Sequence, residues 1–144
     1  VSGRDLPASS PFAGDDGGPD PALAAVDLTR RRTELLADPA AADLAQVEVV
    51  DGPAYRADSA TIAGLAGVRN VGLQVDVQDA RTRSISADGD AHVLVTSATS
   101  DYVRTTAEGV ASPVPAAGPR TVELELRWTE GGWRVWSVSG STTP

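Results

Sequence analysis

The sequence predicts an α+β domain, with helices at the N-terminal end followed by an antiparallel sheet of four strands. Three observations point there. Asp20-Pro21 and Asp38-Pro39 each stand ahead of apolar residues at helical spacing, an acceptor side chain followed by a proline that fits the first helical turn. From Val71 onward the apolar period becomes two, the mark of a strand with one face in a core. Residues 121–140, TVELELRWTEGGWRVWSVSG, hold every tryptophan of the chain around a glycine turn and read as a closing hairpin.

Taken in order, residues 1–20 (VSGRDLPASSPFAGDDGGPD) are rich in Gly, Pro, Ser and Asp. They bring too little apolar surface to offset their ordering entropy and read as a flexible linker or tether, with Leu6 and Phe12 as the only anchors. The domain proper spans residues 21–140, and residues 141–144 form a tail. Asp20 caps a helix that runs to about Ala37, with Ala25, Val26, Leu28, Leu35 and Leu36 as its stripe. Arg30-Arg31-Arg32 interrupts that stripe, so one of Arg31 or Arg32 lies beside the apolar face and reaches outward. The bland reading of these arginines is solvated helix charge, the sharper one an anion site. A second short helix follows from Pro39 to about Val47. Val47, Val49 and Val50 then form a short strand or an extended segment, and Tyr55 sits in a loop. Asp58 or Ser59 caps a third helix from Ala60 to about Ala66, which Gly67 ends.

Val71, Leu73, Val75 and Val77 share one face of a long strand, bent or bulged near Ala80 and continuing to Ile85. Ala87-Asp88-Gly89-Asp90 turns it. The next strand runs from about Ala91 to Arg104, and its alternation pairs Ile85 with Val93 and Val75 with Val103. Pro113 and Pro115 make residues 105–118 a loop, a flap or a functional rim. In the hairpin, a three-residue turn of Glu130, Gly131 and Gly132 sets Leu126 opposite Trp136 and Leu124 opposite Val138. Trp133 and Val135 fall on the other face.

Composition narrows the function. A chain of 144 residues is one domain by size. No run approaches a membrane span, so this segment does not insert in a membrane. The net charge is −8, with no basic cluster beyond the three arginines, which argues against nucleic acid. Cysteine is absent and His92 is the only histidine. That removes disulfides, thiol nucleophiles, Cys-ligated zinc and histidine pairs. No Gly-x-Ser-x-Gly and no strand-loop-helix glycine motif is present. Asp15-Asp16 and Asp88/Asp90 lack the ligand count of a calcium loop. No cofactor, no metal and no catalytic set is expected. The chain begins without Met, and a signal or anchoring segment is expected ahead of it.

The stretches DLTRRRTELLADPAAADL, ISADGDAHVLVTSATSDY and LELRWTEGGWRVWSVSG together resemble the NTF2-like (cystatin-like) superfamily, and within it the extracytoplasmic domains of actinobacteria. The likeness covers about residues 21–140. It implies a curved sheet that wraps the long helix and leaves a cone-shaped pocket. Enzymes of this fold, isomerases and dehydratases, place an acid or base in the pocket and a Tyr or Asp to hold an oxyanion. The counterparts here are His92, Asp76 and Asp101 as acid or base, with Tyr55, Tyr102, Trp128 and Trp136 as pocket lining. No catalytic motif of the family matches at its spacing, and none is carried over. Fold does not choose function. The expected role is a non-enzymatic extracytoplasmic binding domain of a larger secreted or membrane-anchored protein. It would take an unknown protein partner or a small apolar ligand, or form a homodimer through the sheet. The alternative is a pocket enzyme of the isomerase or dehydratase type on an apolar substrate. A weaker reading is a sensor domain on a membrane kinase or anti-sigma factor.

Overall fold

The computed structural model of the chain describes residues 20–41 and 43–140. The expected tether (Asp20 apart), Leu6, Phe12 and the tail lie outside the described residues. The fold is α+β, as the sequence predicts: two helices pack on antiparallel sheets, consistent with an NTF2-like architecture.

Helix α1 (Pro21–Ala37) begins where expected. The Asp20 carboxylate accepts from the Ala22 N–H at 2.9 Å, and Pro21 needs no partner for a missing N–H. Ala25 and Leu28 are buried along its inner face. The second helix expected from Pro39 does not form. Two 3-10 turns, Pro39–Ala41 and Leu44–Gln46, stand in its place. The reason lies in the next residues. Val47 O accepts from Val135 N–H and Val49 N–H donates to Val135 O, both at 2.9 Å. This segment is drawn onto a sheet edge as a parallel bridge at Glu48, so a helix cannot continue through it.

Helix α2 (Pro53–Gly64) starts well before the expected Ala60. Gly52 is its N-cap and Pro53 its first residue, the same proline signal that stands twice upstream. Tyr55 is therefore helical rather than in a loop. Asp58 is no cap: it is buried in mid-helix, one turn after buried Ala54.

The main sheet has the order β2-β3-β6-β7, with β2 at Val75–Ile85, β3 at Ala91–Thr99, β6 at Ala117–Thr129 and β7 at Gly132–Gly140. Its core rows pair Val93 with Leu124, Ala91 with Leu126, and Leu126 with Val135. All five are buried. The β2–β3 register differs from expectation: Ile85 faces Ala91 and Val75 faces Thr99, with shifts between Val77/Asp79 and Thr82/Ser84. A short turn closed by the Ser86 N–H to Asp90 O bond, 2.8 Å, sets the pairing, and the bulges restore the apolar face.

The strand expected to reach Arg104 breaks after Thr99. The Ser100 hydroxyl donates to Gly72 O and accepts from Gln74 N–H, both at 2.9 Å. The chain then enters a second sheet of order β1-β4-β5, with β1 at Arg69–Val71, β4 at Tyr102–Thr105 and β5 at Ala111–Val114. The expected loop over residues 105–118 thus contains a strand. Pro113 pairs with Val103 because β5 is an edge strand, where no second ladder needs its N–H.

The closing hairpin pairs Leu124 with Val138 as predicted, but Thr129 faces Gly132, so the turn holds only Glu130 and Gly131. A bulge follows, and Leu126 faces Val135 rather than Trp136. Val135 consequently joins the core. Trp128 and Trp133 meet edge to face at 5.3 Å. Trp136 lies under the Arg127 guanidinium, 3.5 Å from it, and against Gly52, where a Cβ would stand 2.8 Å from its ring.

Truncating the hairpin's inner row should therefore cost far more than truncating its aromatic tip. Leu126→Ala should lose about 2–5 kcal/mol in urea unfolding followed by circular dichroism. Trp128→Ala, whose side chain is half exposed, should lose much less.

Candidate functional site

Leu28 sits on the buried face of α1, and Arg32 follows it by four residues, the spacing that puts two side chains on one helix face. Arg31 turns outward and pairs with Asp27 at 3.0 Å. Of the two arginines, it is Arg32 that lies beside the apolar stripe. It does not reach simply into water. Its Nε and Nη2 donate to the two carboxylate oxygens of Asp58 at 2.6 and 2.8 Å. The bond joins α1 to α2 through a side-on fork, the strongest geometry open to this pair.

Glu48 lies beside them. Its side chain is wholly buried, and its Oε2 is 4.0 Å from Arg32 Nε. Neither of its oxygens receives a hydrogen bond from any donor. A carboxylate in that position would carry an uncompensated charge. Burial, then a hydrogen bond to Asp58 and the charge of Asp58, push the Glu48 carboxyl up to about 9, against the smaller pull of Arg32. Glu48 is therefore held as a neutral acid beside Asp58. Burial alone would raise Asp58, but the Arg32 fork, the Glu48 proton and the Arg32 charge outweigh it and hold Asp58 below its ordinary value. The hydrogen bond and charge of Asp58 raise Arg32 in turn, against its own partial burial. The trio holds one cation, one anion and one shared proton, a neutral set in which the two carboxyls titrate together.

Arg32 and Asp58 border a cleft of about 560 Å³ between the helices and the sheet, within the range of small-molecule sites. Leu28, Val47, Leu124 and Val135 form its apolar depth, and Ala54, Ala57 and Asp58 its α2 wall. Ser97, Thr99, Arg120 and Ser137 also line it. The cleft stays open because the residues facing it from α2, β3 and the start of β6 are small.

The residues singled out from the sequence lie elsewhere. Tyr55 is half-buried on α2 outside the cleft lining. Trp128 and Trp136 belong to the hairpin contacts above. His92 points away from the core and its Nδ1 lies 3.0 Å from Glu123 Oε2. Glu123 also binds Arg83, and the His92 bond followed by Arg83 keeps its carboxyl below the usual range despite partial burial. Asp76 is exposed on β2. Asp101 and Tyr102 border a separate shallow depression on the small sheet, with Val71, Val103 and Pro113. Among the described residues no group of three or more His, Cys, Asp or Glu is arranged to hold a metal ion, and no helix is long and apolar enough to cross a membrane.

No protein-family model matches this chain, and no curated protein matches it by sequence. Among solved structures it is similar to the intermembrane space region of the chloroplast protein ARC6. The TM-score is 0.56 at 19% identity, over 83% of this chain and 97% of that one. Aln2 from a Streptomyces species also matches, with a TM-score of 0.47 and 16% identity over 85% of this chain and 93% of that one. The likeness to the ARC6 region shows a shared small α+β fold; the second match is too distant to build on.

The neutral state of Glu48 has a stability signature. Its folded value stands above the ordinary 4.5, so between about 4.5 and about 9 the folded chain binds the proton and the unfolded chain does not. The stabilisation that comes from the Glu48 proton is complete below that window and should be lost as pH rises through it, by at most about 1.4 kcal/mol per pH unit. Glu48→Gln should flatten that slope in denaturation curves taken across the window. Breaking the fork instead, with Asp58→Asn, should cost about 1–3 kcal/mol. The lower part of that span applies because Arg32 is partly exposed and screened.

Proposed function

We propose that this is a non-enzymatic binding domain of the NTF2-like superfamily that takes a small, largely apolar ligand in the cleft between the helices and the main sheet. One observation supports the reading above others: the cleft is open and lined with aliphatic groups, while its single carboxylate, Asp58, is fully engaged. A pocket enzyme of the isomerase or dehydratase type needs a free base facing its substrate. Asp58 has both oxygens held by Arg32 and is a weakened base. Glu48 keeps its proton but has no surface in the cleft. Neither is placed to move a proton to or from a bound molecule, so the trio is read as scaffold. The family resemblance and the Gly-, Pro-, Ser- and Asp-rich composition of residues 1–20 support an extracytoplasmic setting in a larger secreted or anchored protein.

Titration with the neutral dye Nile red tests the reading. The wild-type chain should bind it and raise its fluorescence. Ala57→Phe, on the exposed side of α2 and facing the cleft, should weaken binding at least about tenfold with circular dichroism unchanged. Equal binding by both proteins would place the dye, and the function, elsewhere.

A further inference from the structure

We propose that the cleft selects a ligand with an apolar body and one anionic head, a carboxylate, seated on Arg120. The inference rests on the cleft-binding reading above and adds the chemistry of the ligand. The protein is acidic overall, with 20 acids against 12 bases, yet the cleft is not. Its charged lining residues are Arg32, Asp58 and Arg120. The first two cancel in their fork, which leaves the site with the positive charge of Arg120. Among the described residues Arg120 has no carboxylate partner. Its Nη2 lies 3.7 Å from where a Cβ on Gly140 would stand, so the guanidinium reaches from β6 to the end of β7.

The surroundings match such a head group. Ser97 is the cross-strand partner of Arg120, and Thr99 lies two residues farther along β3. Both side chains line the cleft. Their hydroxyls make no hydrogen bond among the described residues and are free to donate. A planar guanidinium with neighbouring hydroxyls fits a carboxylate through paired N–H donors. A cationic head group would be repelled. A neutral one would gain the apolar contacts alone. An unpaired positive group in the cleft also concentrates an anion locally, an effect that salt weakens.

The test displaces Nile red from the whole chain with three ligands of one chain length, dodecanoate, dodecanol and dodecylamine, near neutral pH. Dodecanoate should bind about tenfold more tightly than dodecanol, a difference of about 1.4 kcal/mol, and dodecylamine most weakly. Arg120→Gln, an exposed change, should bring dodecanoate down to the level of dodecanol and leave dodecanol unchanged. Added salt should shrink the preference in the wild type. Equal binding of dodecanoate and dodecanol, or a preference that survives in Arg120→Gln, would overturn the carboxylate assignment and leave the cleft reading standing. If Nile red binds in the cleft but none of the three displaces it, the inference fails as well. If Nile red itself does not bind there, the cleft reading falls and takes this inference with it.

Discussion

The architecture turns on the fork between Arg32 and Asp58, with the neutral Glu48 carboxyl beside it. These residues come from α1, α2 and the segment between them that is bridged to β7. Arg32 and Asp58 are 26 residues apart. Charge balance is the condition that lets them meet away from water. Two ionised carboxylates against one guanidinium would leave a net negative charge in a place where burying it costs several kcal/mol. Retaining one proton removes that cost.

The trio also explains why the space beside it is a cleft and not a filled core. The fork fixes the separation of the helices, and the hydrogen bonds between Val135 and residues Val47 and Val49 fix the segment between them on the sheet edge. The large apolar side chains at the deep end, Leu28, Leu124, Leu126 and Val135, close the hydrophobic layer. Toward the other end the facing residues are Ala57, Ser97, Ala117 and Gly118, too small to meet across the gap. Packing thus seals one end of the wedge and leaves the other open. The deep end holds the fold together, and the open end is where the proposed ligand would enter.

Much of this was legible in the sequence. The cap at Asp20, the alternation through Val93 and Leu124, and the pairing of Leu124 with Val138 followed from local rules. The misses share one physical origin, a tertiary contact that overrides a local preference. The helix expected from Pro39 gives way because Val47 and Val49 are claimed by the sheet edge. The register of β2 against β3 is set by the Ser86–Asp90 turn and two bulges, which alternation alone does not reveal. Pro113 reads as a strand breaker, yet an edge strand tolerates it. The candidate site was hidden by a single boundary. As a cap, Asp58 would face solvent; with Pro53 as the first helical residue it falls on the buried side, one turn from Ala54. The helical stripe placed one of Arg31 or Arg32 beside the apolar face without choosing between them. Glu48 was not legible, since nothing local marks a carboxyl between two valines as one that will be buried.

The charge state of Glu48 in the folded protein at neutral pH is reported directly by its carboxyl carbon. In protein labelled with carbon-13 at the glutamate carboxyls, with Glu48→Gln to assign the signal, a nuclear magnetic resonance titration follows each group. The Glu48 signal should keep the shift of a protonated acid through neutrality and move only toward about 9. A signal that titrates in the ordinary range near 4.5 would mean that a second charge is tolerated beside Asp58. The neutral trio, and the account of how the helices are held, would then be contradicted.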